Sequence, residues 1–139
     1  MSWYEAAAYA RFAHKSLPTV YHWFHAADPN AGRWMAAWSN VDAKGPLPVG
    51  TPRGVSPNGV SDMVGNVREW QANEADPGTR HILGGGWNET INPFPSLYAQ
   101  PTMDRRETNG IRLALSTAPM PISHLPVPAS VSQRVTMRS

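Results

Sequence analysis

Gly59-Val60-Ser61-Asp62-Met63-Val64-Gly65-Asn66-Val67-Arg68-Glu69-Trp70 is the stretch whose reading decides the fold. It reads as a tight loop turning at Gly65-Asn66, with the carboxylates Asp62 and Glu69 on either side of the turn. From Val67 to Ala72 the pattern is that of a short strand. Val67, Glu69 and Gln71 fall on one face, Arg68 and Trp70 on the other, because successive strand side chains point to opposite sides.

Upstream, Ser2-Trp3-Tyr4-Glu5 is a capping box: Ser2 caps a helix start and Glu5 reaches back to the Ser2 amide. Ala6, Tyr9, Ala10 and Ala13 follow at helical spacing, which predicts a helix from Trp3 to about Ala13. Leu17-Pro18 breaks the chain, Thr19 caps a second helix from Val20 to about Ala27, and Asp28-Pro29-Asn30-Ala31-Gly32 stops it. Pro46, Pro48, Pro52 and Pro57 leave Arg33 to Asn58 mostly irregular, with Trp34 and Trp38 expected to anchor loops on the core. Downstream, Arg80 to Gly84 predicts a second strand. Ile111, Leu113 and Leu115 alternate with Arg112 and Ala114, the pattern of a half-buried strand. Between them, Asn88 to Asn109 is expected to be an extended surface loop. The fold class is therefore α+β: two helices packed on short antiparallel strands, with much irregular loop.

The chain has 139 residues, enough for one modest domain. Fourteen Pro and eleven Gly argue for a loop-rich fold rather than a helical bundle. Without Cys, the chain has no disulfide, thiolate metal site or thiol nucleophile. There is no apolar run of transmembrane length, and Met1-Ser2-Trp3-Tyr4-Glu5 lacks the basic and apolar regions of a signal peptide. A cytoplasmic location is expected. Up to residue 115, ten Lys and Arg balance ten Asp and Glu, so the net charge of +2 comes from Arg134 and Arg138. The basic pI belongs to the tail, and the body carries no basic face for nucleic acid. Residues 1–115 form the expected domain. Residues 116–139, rich in Pro, Ser and Thr and free of aromatics, are expected to be disordered or loosely draped.

Four blocks, in order, resemble the formylglycine-generating-enzyme domain, also called the sulfatase-modifying-factor domain. They are Ser2 to Thr19, similar to the family's helix followed by R-L-P-T; Gly59 to Trp70, similar to its D-M-x-G-N-V-x-E-W signature; His81 to Trp87, similar to R-V-x-R-G-G-S-W; and Asn109-Gly110-Ile111-Arg112, similar to the terminal x-G-F-R. Together they span Ser2 to about Leu115. The pattern is closest to members attached to bacterial serine/threonine kinases. The resemblance implies the family's complex C-type-lectin-like fold. Because the first block begins at Met1 rather than mid-domain, it also implies that the domain's N-terminal half is missing.

The resemblance implies structural calcium held by the Asp62 and Glu69 carboxylates and the Gly65 and Val67 carbonyls. Such a hard cation takes several oxygens at about 2.3–2.6 Å. The alternative is that Asp62 caps the turn and Glu69 pairs with an arginine such as Arg112. Asn40 and Asp42 match a second calcium loop that is shortened here, and no ion is expected there. Active members hold copper between two cysteines; the matching positions are Glu89 and Phe94, which cannot supply the soft thiolate pair Cu(I) prefers, so no copper is expected. Gly86 replaces the family's usual serine. The iron-dependent branch of the family draws its histidines from another domain. His14, His22 and His25 are the candidates here, His22 and His25 one helical turn apart, and the plainer reading has one of them partly buried near Trp23 and the other solvated. The ligand pocket is expected at Trp87, Asn88, Glu89, Arg105 and Arg106.

These readings lead to a non-catalytic binding or regulatory module stabilised by calcium, taking a peptide or small ligand. Its partner would be a kinase or another domain of a longer protein, with no nucleic acid and no membrane. One alternative is a metal-dependent oxidoreductase of the non-haem iron type that needs a missing domain. Another is a truncated remnant without independent function.

Overall fold

The computed structural model describes residues 1–51, 54–90 and 97–115. The expectations for Phe94 and for the tail from 116 to 139 lie outside them. In chain order the elements are α1 (Trp3–Phe12), α2 (Val20–Ala27), a 3-10 turn (Pro29–Ala31), α3 (Gly32–Ala36), β1 (Arg68–Glu74), β2 (Thr79–Leu83), β3 (Ala99–Pro101) and β4 (Asn109–Gly110).

Both helix starts follow from their caps. Ser2 Oγ accepts the Glu5 amide while Glu5 Oε2 accepts the Ser2 amide at 2.7 Å. Thr19 Oγ1 accepts the His22 amide, and His22 Nδ1 closes the reciprocal half of a second capping box. The free amide of Val20, one of the donors a helix start leaves unpaired, goes to Asn73 Oδ1 on β1 at 2.9 Å.

The four strands form one sheet in the order β3-β2-β1-β4. β1 runs antiparallel to β2 and β2 to β3, whereas β1 and β4 are parallel. The sheet is therefore mixed, which corrects the all-antiparallel expectation. β1 is the hub, buried on both faces. Trp70 joins Ala6, Ala10, Leu17 and Ile82 in one core cluster under α1. Glu69 and Asn73 reach toward α2, whose Trp23 belongs to a second cluster with Val20, Ala27, Met35, Met63, Val64 and Leu83.

Three other expectations are corrected. Trp34 and Trp38 do not anchor loops: they are 57% and 53% exposed, because α3 turns Met35 and Ala36 inward instead. The expected strand over Ile111 to Leu115 forms no ladder of its own. The parallel pairing stops at Gly110 and Ala114 pairs singly with Ser16, although Ile111 and Leu113 still pack against the α1 cluster. The expected surface loop from Asn88 to Asn109 contains β3, whose Gln100 is buried.

Candidate functional site

The Gly59 to Trp70 segment holds the irregular half of the molecule together. Asp62, Gly65 and Asn66 all have left-handed backbones, at φ of 60°, 73° and 62°. Gly65 is required twice over, since a Cβ there would lie 2.5 Å from the Asn40 carbonyl oxygen. The turn then makes cross-links. Gly65 N–H donates to Gly84 O, Asn66 N–H to Asn40 O, and Trp87 N–H to Asn66 O. The Asn66 side chain accepts from Leu47 N–H at 2.8 Å and from Asn40 Nδ2 at 3.0 Å, and donates to Leu47 O at 3.1 Å. Val67 packs against Gly110, leaving no room for a Cβ on that residue.

Glu69, buried to 4% exposure, is the centre of a polar cluster. Arg112 Nε and Nη2 fork onto its carboxylate at 2.7–3.1 Å, and Trp23 Nε1 donates to Oε2 at 2.7 Å. Arg112 Nη2 also donates to Ser61 O at 2.8 Å. Burial works to lower the Arg112 pKa, but Glu69 and then Asp62 reverse it, so the guanidinium is held above its ordinary range. Burial pushes the Glu69 carboxyl up against the pull of Arg112 and Trp23. Both its oxygens accept N–H donors, which marks it as a carboxylate. Asp62 Oδ2 accepts the Gly50 amide at 2.6 Å, while Oδ1 is buried with no hydrogen-bond partner among the described residues.

This donor set does not fit the calcium that the resemblance implied. Three of the four oxygens of Asp62 and Glu69 already accept protein N–H groups, and the Arg112 guanidinium is paired with the Glu69 carboxylate. Calcium takes six to eight oxygens, roughly, and no competing cation at the same atoms. Glu69 pairs with Arg112 as the alternative reading required.

The second cluster lies around Glu89, where active relatives by resemblance carry a cysteine. The Glu89 side chain pairs with Arg68, and its Oε1 accepts the Gly86 amide at 3.2 Å. The Arg68 guanidinium in turn stacks 3.9 Å from the centre of the Tyr98 ring. Arg68, followed by Arg106, holds the Tyr98 phenol below its ordinary pKa. Arg106 pairs with Asp104 at 3.1 Å. Glu89, Arg68, Tyr98, Arg106 and Asp104 thus form one chain of contacts, with Asn88 exposed beside it and the Trp87 indole N–H buried without a hydrogen-bond partner among the described residues. Arg105 does not join them: it reaches to Glu5 on α1 at 2.9 Å. Sequence reasoning missed Arg68 and Tyr98. Arg68 sits inside the signature and Tyr98 at the edge of an unforeseen strand, and only the pairing of β2 with β3 brings them together.

The described histidines do not converge. His22 and His25 are both exposed, which corrects the expected burial of one of them, and His22 Nδ1 is bonded to Thr19. Among the described residues, no three His, Asp or Glu side chains are grouped to hold a metal ion. Nor is any described helix long and apolar enough to cross a membrane.

A mixed four-stranded sheet clasped between capped helices, with a cross-linked Gly-Asn turn feeding its central strand, defines a small loop-rich α+β domain. Residues 1–117 match the model of the sulfatase-modifying factor enzyme 1-like domain, and the chain belongs to that family. It is similar to the hercynine oxygenases of Mycolicibacterium smegmatis and Mycolicibacterium thermoresistibile, each 38% identical over 92 residues. Those matches cover 55% of this chain and 22% and 21% of the two relatives. It is also similar to the inactive C-alpha-formylglycine-generating enzyme 2 of Bos taurus, 32% identical over 116 residues, covering 66% of this chain and 38% of that protein. The chain thus spans well under half the length of these curated relatives. In fold it is similar to the crystal structure of CarF, with a TM-score of 0.60 at 19% identity over 81% of this chain and 64% of that one.

Proposed function

We propose that this chain is a non-catalytic binding or regulatory module of the sulfatase-modifying factor family, built on the complex C-type-lectin-like fold. One observation carries the reading. The residue at the resembled cysteine position, Glu89, is closed into an ion pair with Arg68 and a hydrogen bond from Gly86. A carboxylate so engaged neither binds copper nor activates oxygen. The similarity to a formylglycine-generating enzyme named as inactive agrees with it. The ligand, a peptide or small molecule, would meet the face formed by Trp87, Asn88, Tyr98 and Arg106. That face offers aromatic surface and hydrogen-bond donors, the mixture typical of recognition surfaces. Another domain of a longer polypeptide, such as a kinase, is the partner the resemblance suggests.

The test combines chemistry with binding. The purified chain, supplied with Cu(I) and a cysteine-containing peptide in air, is expected to form no formylglycine and to consume oxygen no faster than copper and peptide without it. A peptide panel followed by NMR is expected to shift the Trp87 and Asn88 signals first. Thiol conversion by the chain would overturn the reading.

A second reading, favoured by the 38% identity to the hercynine oxygenases, makes the chain one part of an iron-dependent oxygenase acting on a hercynine-like betaine. It requires polypeptide beyond this chain. Stoichiometric Fe(II) binding with hercynine-dependent oxygen uptake would establish it; neither, in the presence of the remaining polypeptide, would eliminate it.

A further inference from the structure

We infer that in this chain the Arg112 guanidinium takes the place of a metal ion as the counter-ion of the signature carboxylate Glu69. The geometry resembles coordination in its reach. Arg112 gathers Glu69 Oε1, Glu69 Oε2 and the Ser61 carbonyl oxygen at 2.7–3.1 Å. These are carboxylate and carbonyl oxygens of the kind a hard cation would collect. A guanidinium suits them because its planar fork matches a carboxylate with two parallel donors. It also arrives on the chain itself, from Arg112 just beyond β4, and so ties the strand that closes the sheet edge to the central strand β1. A metal would bind only when supplied; Arg112 is present at fixed stoichiometry. The cluster is accordingly expected to hold whatever the calcium concentration, and calcium is expected to find no seat at Glu69.

The experiment is thermal unfolding of the purified full chain in EDTA and in millimolar calcium, for the wild type, Glu69→Gln, Arg112→Gln and the double variant. The wild-type midpoint is expected to be the same in both buffers. Arg112→Gln is expected to lower it strongly by stranding a buried carboxylate, and adding Glu69→Gln to recover part of that loss. A wild-type midpoint raised by calcium, with the rise abolished in Glu69→Gln, would overturn the inference. A rise that persists in Glu69→Gln places the ion away from this carboxylate and upholds it. Should Glu69→Gln not fold, calcium titration of the wild type is read through the Trp23 indole N–H signal, whose acceptor is Glu69: a shift on binding overturns the assignment and constancy upholds it.

Discussion

At the scale of single residues, Gly86 carries a consequence for the family comparison. The family's usual serine cannot simply be restored there. A Cβ at Gly86 would sit 2.9 Å from both Cβ and Cγ2 of Thr108 and 3.2 Å from Asn88 Oδ1. Thr108 is β-branched and held by its backbone bond to Arg68, so it has little freedom to yield. Gly86→Ser is expected to cost about 1–3 kcal/mol as overpacking, read as a lowered denaturant midpoint. His81 gives the second prediction. It is buried on β2 with Nδ1 unpartnered among the described residues, and burial lowers its pKa, so the fold favours the neutral ring. The unfolded chain binds a proton that the folded chain refuses. Stability is therefore complete above the ordinary imidazole value of about 6.5 and falls as pH drops through it. Urea midpoints measured between pH 7.5 and 5.5 are expected to decline with acid in the wild type, and the slope to flatten in His81→Gln. The sequence signals both residues only weakly, since neither shows its neighbours. Glu69 was legible as a charged group needing a partner, but the choice between a cation and Arg112 depends on a contact spanning 43 positions.

At the scale of elements, the two helices were the most readable parts of the chain. Their caps are local: Ser2 with Glu5 and Thr19 with His22 lie three residues apart, so the signal and the structure occupy the same window. Ser2→Ala is expected to cost about 1 kcal/mol through loss of the cap, visible as lower α1 protection in hydrogen exchange. The α2 start also depends on Asn73, a β1 residue with no helix signal of its own. Asn73→Leu removes the acceptor from the Val20 amide at a buried site. A loss of about 1–3 kcal/mol is expected, with the Val20 amide exchanging fastest in α2. The strands were less readable. β3 and β4 have three and two residues, too short for any alternation to register. The parallel pairing of β1 with β4 is fixed only when the chain returns from 74 to 109.

At the scale of the whole molecule, Trp70 joins the pieces. It is fully buried between β1, β2 and α1, and its indole N–H reaches the Met1 carbonyl at 3.1 Å. Trp70→Ala is expected to cost about 3–5 kcal/mol. For a chain of this size that is a large share of the total stability, so loss of cooperative unfolding in near-ultraviolet circular dichroism is the expected readout. Tyr9, Phe12, Trp34 and Trp38 remain substantially exposed, so the described residues do not cover all their own aromatic surface.

The sequence by itself determined the family, both long helices with their caps, the central strand and the two carboxylates of the signature turn, because each is written in residues close together along the chain. The tertiary structure decided the mixed sheet, the exposure of Trp34 and Trp38, the choice of Arg112 as partner for Glu69, and the closure of Glu89 by Arg68 beneath Tyr98. Those outcomes turn on which distant segments share a buried space, where an unpaired charge costs most and is matched by whatever opposite charge the fold brings within reach.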